Sequence, residues 1–254
     1  MDALSDPALH PGSRLLDPQH LAATGTPYAV LVLNQEIPHS ATLFPRLWAH
    51  AAHRVCVDGG ANRLHALPAA LELAPPHAIV GDLDSLTDAV RQDYERQDTF
   101  VQHVPDQDST DFMKALHYLD GARAQRAWEF VVVFGGLSGR LDHVLHTLKV
   151  LFNNKHTRIL VASEENLSFV LPEGDNIVEV DHRVDGPTCG ILPLAGETVL
   201  TTAGLRWNLD GQRSSFTGLM STSNIIDDPR RISITTSLPV AWTCQLTPLP
   251  HDTS

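Results

Sequence analysis

Short apolar runs alternate with amphipathic segments over residues 26–165, and this order constrains the fold more than any other feature of the chain. The runs have the length of strands and no polar face, which is typical of strands that are buried on both sides of a sheet. Buried strands are predicted at 28–33, 54–57, 78–80, 130–134 and 158–161. Because such strands alternate with helices, a parallel α/β sheet is expected.

The segments between these strands have helical periodicity. Helices are predicted at 43–52, 61–67, 111–119 and 142–152. The third has apolar residues at i, i+3, i+4 and i+7, namely Phe112, Ala115, Leu116 and Leu119. The fourth has an apolar side formed by Val144, Leu145, Leu148, Leu151 and Phe152. Both helices are therefore expected to pack one face against the sheet.

After about residue 165 the rhythm changes to short strands separated by turn signals, and no convincing helix is predicted. Strands are expected at 167–171, 177–180, 198–202 and 232–236, which indicates a small antiparallel sandwich or barrel. The predicted organisation is a loosely ordered extension at 1–25, an α/β domain at 26–165 and a β-sandwich domain at 166–254.

Composition and charge limit the function classes. The net charge of -12 argues against DNA or RNA as the main partner, since nucleic-acid binding requires clustered Lys and Arg. No apolar stretch approaches the roughly 20 residues that span a bilayer, and the first 25 residues lack the apolar core of a signal peptide. Three widely separated cysteines indicate a reducing compartment. A cytoplasmic protein without membrane attachment is expected.

Three motifs that contain aspartates directly follow predicted strands: DGGAN with Asp58, GDLDS with Asp82 and Asp84, and GGLSGRLD with Asp142. Ligands of open α/β sheets bind beyond the carboxyl ends of the strands, so these acids are expected to line one crevice. A hard cation such as Mg²⁺ relieves the repulsion between crowded carboxylates. Any one of these acids alone is better explained by a turn or a helix cap, whereas the pair Asp82 and Asp84 favours a functional site.

Two further segments extend this site. Asp111 closes the sequence DQDSTD at the start of a helix, where three acids exceed what capping needs. We expect Asp111 to bind metal or to orient a substrate hydroxyl. The turn that begins at Gly135 and Gly136 and ends at Arg140 lies between a strand and a helix, which suits phosphate binding, although it matches neither GxGxxG nor a Walker A sequence.

In the second half of the chain, Leu205, Trp207 and Leu209 alternate on one face, and this pattern favours a core position for Trp207. The segment from Ser221 to Asn224 is compatible with an ordinary polar loop.

Taken in order, DGGANR, GDLDS, DQDSTD, GGLSGRLDH, GLRWNL and STSN resemble the motifs of thiamine pyrophosphokinases of the eukaryotic type. The similarity runs from Leu33 to about residue 245. It implies an N-terminal α/β domain that binds ATP and a C-terminal β-sandwich that helps to bind thiamine. It also implies a homodimer in which each thiamine cleft lies between the α/β domain of one subunit and the sandwich of the other.

The resemblance also assigns residues. It implies a Mg²⁺ site formed by Asp58, Asp82, Asp84 and Asp111. It implies an ATP site that includes Asp58, Gly135, Gly136, Arg140 and Asp142. It implies thiamine contacts from Gln107 and Asp111, together with Trp207, Ser221 and Asn224 of a second subunit. The expected catalytic residues are Asp82, Asp84, Asp111 and Arg140. For Trp207 this reverses the interpretation from the pattern, because an indole face suits flat, cationic thiamine.

The implied reaction is transfer of the diphosphoryl group of ATP to the thiamine hydroxyl, which gives thiamine diphosphate and AMP. Two alternatives stay open at this point. One is a magnesium-dependent nucleotide pyrophosphohydrolase, in which water replaces thiamine. The other is a protein that binds thiamine or a nucleotide without turnover.

Overall fold

The computed structural model describes residues 8–10, 24–37, 43–122, 127–163 and 165–247. Their contacts divide the chain into two compact units. One, the α/β unit, contains the described residues of Ala22–Val150 and Arg158–Glu164. The other, the β unit, contains those of Met1–Leu21, Leu151–Thr157 and Glu165–Leu249.

A parallel sheet forms the centre of the α/β unit. Its strands are β2 (Tyr28–Val32), β3 (His53–Val57), β4 (Ala78–Gly81), β5 (Phe100–His103), β6 (Phe130–Phe134) and β7 (Ile159–Ala162). They are paired in the order β7-β6-β2-β3-β4-β5, and every pair is parallel. Every residue of β2, β4, β6 and β7 is buried, which confirms the prediction of strands covered on both faces.

Helices connect these strands. They are α1 (Leu43–His50), α2 (Gly60–His65), α3 (Asp88–Glu95), α4 (Asp111–Ala122) and α5 (Leu141–Asn153), with a 3₁₀ turn at Ala69–Leu71. The sequence pattern did not predict α3 or β5. The edge strand β5 has no fully buried residue, so the apolar run that reveals the other strands is missing there.

The order of the strands in the parallel sheet shows where a ligand site is expected. The chain passes from β2 outward through β3, β4 and β5, and then returns to the opposite side of β2 through β6 and β7. The carboxyl ends on both sides of β2 therefore lie at a topological switch point, where ligands of open α/β sheets bind.

Helix α5 differs from its predicted packing. Its buried residues include Thr147, Val150 and Leu151, whereas Leu145 of the predicted apolar side is 56% exposed and Leu141 is 71% exposed. The apolar side predicted for α5 is therefore wider than the face of α5 that is buried in this structure.

The β unit contains two groups of paired strands, and most of the pairs are antiparallel. One group has the order β13 (Ser221–Ile225), β10 (Asp185–Leu192), β15 (Val240–Leu246) and β8 (Asn166–Leu171). The other has the order β1 (Ala8–His10), β9 (Gly174–Glu179), β14 (Arg231–Thr236), β11 (Thr198–Ala203) and β12 (Gln212–Ser214). Buried and exposed residues alternate strictly along β11 and β14, as expected of sheets with one covered face. The predicted combination of a parallel α/β part and a C-terminal sandwich is confirmed.

Strand β1 lies within the segment that was predicted to be a loosely ordered extension. It pairs in parallel with β9, from Ala8 opposite Asn176 to His10 opposite Val178. The His10 Nε2 atom lies 3.0 Å from the Asn176 side-chain oxygen, which connects the two strands through their side chains as well. Residues 1–7 and 11–23 lie outside the described residues. None of the described helices has the length and apolar character that a membrane crossing needs.

Candidate functional site

Three of the predicted acids meet at the carboxyl edge of the parallel sheet. One oxygen each of Asp58, Asp82 and Asp111 lies within 4.8 Å of the other two. Asp58 directly follows β3, Asp82 directly follows β4, and Asp111 is the first residue of α4. The convergence expected from the strand ends is therefore present for Asp58 and Asp82, and Asp111 joins them from the start of α4. Their carboxylate oxygens are the kind of donor that Mg²⁺ prefers.

The backbone around the three acids has unusual conformations. Asp58 has φ 46° and Leu83 has φ 64°, values that non-glycine residues adopt rarely and that concentrate at functional sites. Gly81 allows the close approach, because a Cβ atom there would lie 2.8 Å from the Asp58 Cβ and 3.3 Å from the Asp111 Oδ1. A larger residue at position 81 would force the acids apart.

Backbone N–H groups hold the carboxylates in place. The Asp82 N–H donates to Asp111 Oδ1 at 3.1 Å, and the Ser85 N–H donates to Asp58 Oδ1 at 3.3 Å. Burial raises the pKa of the Asp58 carboxyl, hydrogen bonds from Gly59 and Ser85 oppose this, and the charge of Asp111 adds to it. A positive charge close to these carboxylates would therefore stabilise their ionised forms.

That charge is partly supplied by Lys114, one turn after Asp111 on α4. Its Nζ lies 2.9 Å from Asp111 Oδ1 and 3.5 Å from Asp82 Oδ2. The Lys114 side chain is 2% exposed, whereas those of Asp82 and Asp111 are 20% and 28% exposed. Burial lowers the pKa of Lys114, but the hydrogen bonds and charges of Asp111 and Asp82 outweigh it and raise the pKa above its ordinary value.

Asp84, the fourth predicted metal ligand, lies outside the group of three and is exposed. Its Oδ1 accepts a hydrogen bond from the Ser85 hydroxyl at 3.0 Å, and its N–H donates to Asp82 Oδ1 at 3.3 Å. The left-handed turn at Leu83 separates the two members of the pair. The backbone of Asp84 thus contacts Asp82, while its carboxylate contacts Ser85.

The segment before α4 forms a compact turn around Asp106. The Asp108 N–H and the Ser109 hydroxyl both donate to Asp106, and these bonds lower the pKa of its carboxyl. Gln107 is exposed, and its amide donates to the Pro105 carbonyl at 3.3 Å. Gln107 is thus at the surface, four residues before Asp111.

The Gly-rich turn after β6 has the left-handed conformations that its glycines allow, with φ 86° at Gly135 and φ 92° at Gly136. The side chain of Gln35, which follows β2, supports it. Gln35 Oε1 accepts from the N–H groups of Gly136 at 2.7 Å and Ser138 at 3.3 Å, and from the Ser138 hydroxyl at 3.0 Å. These two N–H groups therefore shape the turn through Gln35.

Arg140 and Asp142 form an exposed ion pair beside this turn. The Arg140 Nε and Nη2 donate to the two carboxylate oxygens of Asp142 at 3.1 and 2.5 Å. The hydrogen bond from Arg140 holds the pKa of Asp142 below its usual range, and Asp142 raises the pKa of Arg140. The guanidinium keeps its charge in an open position, which suits contact with phosphate.

In the β unit, Trp207 is 58% exposed, against the core position that the alternating pattern favoured. The buried side chain of Asn224 holds it. The Asn224 oxygen accepts from the Trp207 N–H at 3.2 Å, and its amide donates to the Trp207 carbonyl at 2.9 Å and to the Ser221 hydroxyl at 3.1 Å. The Arg206 guanidinium carbon lies 6.0 Å from the centre of the indole ring.

Comparison with protein families accounts for most of the chain. A model of the catalytic domain of thiamin pyrophosphokinase matches residues 44–162, and a model of its vitamin B1 binding domain matches residues 175–241. The chain belongs to the thiamine pyrophosphokinase family. The two matched regions contain all the acids of the cluster and the segment from Trp207 to Asn224.

Individual members of the family match over most of their length. Thiamine pyrophosphokinase 3 of Oryza sativa subsp. japonica is 37% identical, over 87% of this chain and 88% of that protein. Thiamine pyrophosphokinase 1 of Arabidopsis thaliana is 33% identical, over 95% and 94%. The crystal structure of yeast thiamin pyrophosphokinase has a TM-score of 0.80 at 23% identity, and covers 97% of this chain and 93% of that one. At that identity the likeness shows the shared fold.

Two supporting residues of this family member were not predicted from the sequence. Lys114 could have been suspected from its position, because it lies three residues after Asp111 on a helix whose neighbouring residues are apolar. Gln35 precedes its Gly136 partner by 101 residues, and no local pattern connects them.

Proposed function

We propose that this chain is a thiamine diphosphokinase that transfers the diphosphoryl group of ATP to the hydroxyl of thiamine. The observation that carries the proposal is the convergence of Asp58, Asp82 and Asp111 at the carboxyl edge of the parallel sheet, in a chain of this family. Residues 26–165 form the ATP domain in this proposal, and residues 166–254 supply the thiamine contacts of the β-sandwich.

The three convergent carboxylates fit Mg²⁺, which proteins hold through one or two carboxylates together with substrate phosphates. Asp58, Asp82 and Asp111 are the proposed ligands. Asp84, the fourth acid implied by the resemblance, is proposed to support Asp82, whose Oδ1 accepts the Asp84 N–H. When bound, Mg²⁺ would supply charge neutralisation at the phosphate oxygens of ATP.

In the proposed reaction the thiamine hydroxyl oxygen attacks the β-phosphorus of ATP, the bond between the α–β bridging oxygen and the β-phosphorus breaks, and AMP leaves. Arg140 stabilises the negative charge on the phosphates, and Asp142 keeps its guanidinium oriented. Gly135 and Gly136 let the backbone of the turn approach the nucleotide. Asp111 is proposed to orient the thiamine hydroxyl or to accept its proton as the new bond forms.

Thiamine is proposed to stack on Trp207, with Ser221 beside it and Gln107 at the opposite side of the cleft. An exposed indole attracts a flat cation through the negative face of its ring. Asn224 is proposed to act through Trp207, because its polar atoms are bonded to Trp207, Ser221 and the Ile225 N–H. This refines the thiamine-binding role that the family resemblance implies for Asn224.

We also propose that the enzyme is a homodimer in which each site takes its acids from one subunit and Trp207 from the other. Leu141 and Leu145 on α5 are apolar and exposed, which supports the proposal that a second copy of the chain packs against this helix. Helix α5 begins directly after Arg140, so the same surface borders the proposed ATP site.

The test of the reaction is an assay of AMP and thiamine diphosphate with purified protein, ATP, Mg²⁺ and thiamine. Formation of AMP that requires thiamine supports the kinase, and formation of AMP without thiamine supports a pyrophosphohydrolase. The Asp82→Asn variant is expected to lose about 100-fold or more of kcat. Asp120→Asn, an exposed acid on α4, serves as the matched control and is expected to retain full activity. Equal activity of wild type and Asp82→Asn would refute the metal-site assignment.

The shared site is tested by mixing two defective variants, Asp82→Asn and Trp207→Leu, after reversible dissociation. In a heterodimer, one of the two sites receives both intact halves. Mixing at limiting thiamine is therefore expected to restore about a quarter of the wild-type rate. If each site were formed within one subunit, every site in the mixture would carry one defect and no activity would return.

The cytoplasm is the proposed compartment. Cys56, Cys189 and Cys244 are all free and buried, which is the usual state of cysteines in a reducing environment.

A further inference from the structure

Lys114 is the unusual group in the acidic cluster. Lysine is almost never fully buried unless it is paired, and this one is 2% exposed. Its Nζ bridges two acids that come from different elements, Asp111 at the start of α4 and Asp82 after β4. The other buried residues of α4 are apolar: Phe112, Ala115, Leu116 and Leu119. A lysine at this position is therefore held by its two carboxylates.

The burial of Lys114 decides how it acts. A lysine that contacts phosphate presents its ammonium to the ligand, as in Gly-rich phosphate loops. Here the ammonium points at Asp82 and Asp111, and those two carboxylates are more exposed than the lysine. Lys114 can therefore influence substrates and metal only through the acids that it contacts.

The charge of the site depends on Lys114. When Asp58, Asp82 and Asp111 are ionised, they and Lys114 together carry a net charge of −2. One divalent cation would neutralise this charge. Without Lys114 the cluster would carry three negative charges, on oxygens within 4.8 Å of one another. Crowded carboxylates of this kind repel each other and attract cations more strongly.

The same contact fixes geometry. Asp111 Oδ1 accepts from both Lys114 Nζ at 2.9 Å and the Asp82 N–H at 3.1 Å. Lys114 also reaches Asp82 Oδ2 at 3.5 Å. One ammonium thus joins the loop after β4 to the first turn of α4.

We propose that Lys114 is a positioning residue that acts as an internal cation of the site. It holds the carboxylates of Asp82 and Asp111 in their ligand positions before a metal arrives. It also weakens the binding of free Mg²⁺, so that the metal binds firmly only together with the triphosphate. This inference rests on the proposed function, since it concerns the same metal site.

Three variants separate charge from packing. Lys114→Met keeps an unbranched side chain and removes the charge, and Lys114→Arg keeps the charge. Lys149→Met removes the charge of an exposed lysine on α5 and serves as the matched control. All three are studied as the full chain.

The first measurement is calorimetric titration of Mg²⁺ into protein without nucleotide. Lys114→Met is expected to bind Mg²⁺ about tenfold more tightly than wild type, because the loss of one positive charge from the site outweighs the loss of ligand positioning. Lys114→Arg and Lys149→Met are expected to match wild type. An unchanged affinity in Lys114→Met would overturn the proposal.

The second measurement is the melting temperature in EDTA and in excess Mg²⁺. Lys114→Met is expected to melt about 5 °C or more below wild type in EDTA, and Mg²⁺ is expected to restore much of this loss. A role in packing alone would lower the melting temperature equally in both conditions, and that result would also overturn the proposal.

A double variant covers the case in which Lys114→Met folds poorly. Asp111→Asn combined with Lys114→Met again leaves two net negative charges. It is expected to melt at a higher temperature in EDTA than Lys114→Met alone, which a double-mutant cycle with Asp111→Asn quantifies. If the double variant melts lower than Lys114→Met, charge balance is not the function of Lys114.

A parallel titration distinguishes this inference from the metal site itself. With α,β-methylene ATP, whose α–β bridge cannot be cleaved, wild type and Lys114→Met are both expected to bind Mg²⁺ tightly. If wild type binds no Mg²⁺ even with this analogue, the metal site fails and the inference fails with it. If wild type binds Mg²⁺ with the analogue, but wild type and Lys114→Met have the same Mg²⁺ affinity without nucleotide, only the inference about Lys114 is overturned.

Discussion

The acidic cluster and the Trp207 segment hold their functional groups by opposite means. In the α/β unit, Asp58, Asp82 and Asp111 are drawn together by strand ends and balanced by the buried charge of Lys114. In the β unit, Trp207 stands exposed and is held through its backbone by the neutral amide of Asn224. The first arrangement suits the stabilisation of developing charge, and the second suits the binding of a flat ligand.

This difference predicts different kinetic effects. Changes in the cluster should act mainly on kcat, because charge is stabilised most in the transition state. Changes around Trp207 should act mainly on the KM for thiamine, because stacking is equally strong before and during the reaction. The following predictions are ordered from the largest expected effect to the smallest.

Asp111→Asn is expected to lower kcat by about 100- to 1,000-fold, because a ligand oxygen and the partner of Lys114 lose their charge together. Steady-state formation of AMP at saturating ATP and thiamine measures it, with Asp120→Asn on the same helix as control. A change confined to the KM for thiamine would show that Asp111 acts in thiamine binding, as Trp207 is proposed to do, and would contradict the difference between the two regions.

Asn224→Ala is expected to lower the free energy of unfolding by about 1–3 kcal/mol, because it removes a buried amide that bonds both backbone groups of Trp207. Chemical denaturation measures this loss. The KM for thiamine should rise in the same variant, since Trp207 is then no longer held. Ser221→Ala removes the hydroxyl bonded to the same amide and is the milder comparison. Equal losses in the two variants would contradict the role of Asn224.

Trp207→Leu is expected to raise the KM for thiamine by about tenfold, while kcat at saturating thiamine changes by less than about twofold. Trp207→Phe keeps an aromatic face and should recover most of the affinity. Initial rates over a thiamine series at fixed ATP measure both constants. If leucine and phenylalanine behave alike, the indole contributes only apolar area, and the stacking interpretation is wrong.

Gln35→Ala is expected to raise the KM for ATP by about fivefold, because the turn at Gly136 and Ser138 loses its side-chain support. Gln92→Ala changes an exposed glutamine on α3 and is the control. Initial rates over an ATP series measure the change. A loss of thiamine affinity without a loss of ATP affinity would contradict the role of Gln35 in the ATP site.

Most of the parallel sheet follows from local sequence. Strands such as Tyr28–Val32 and Phe130–Phe134 are uninterrupted apolar runs, and such runs become buried wherever the chain places them. The edge strand Phe100–His103 and the helix Asp88–Glu95 were not predicted, because each has few buried residues to leave an apolar pattern.

Similar reasoning explains which site residues were found from the sequence. Asp58 and Asp82 directly follow strands, and the carboxyl ends of parallel strands share one edge, so their meeting follows from their positions. The left-handed backbone at Leu83 separates Asp84 from the group, and nothing in the residue types of GDLDS announces that turn. The exposure of Leu141 and Leu145 likewise depends on where α5 lies, since an amphipathic pattern gives the width of an apolar side and not what covers it.

The sequence by itself determined most of the strands and helices along the chain, the place of the acids after the strands and the resemblance to a family. The first two depend on neighbours within a few residues, and the third depends on the order of motifs along the chain. Only the tertiary structure decided that Lys114 is buried between Asp82 and Asp111, that Gln35 supports the turn at Gly136, and that Asn224 holds Trp207 at the surface. Apart from the local pair of Lys114 and Asp111, those contacts join separate segments of the chain, and their energies exist only once packing has excluded water and brought the partners within bonding distance.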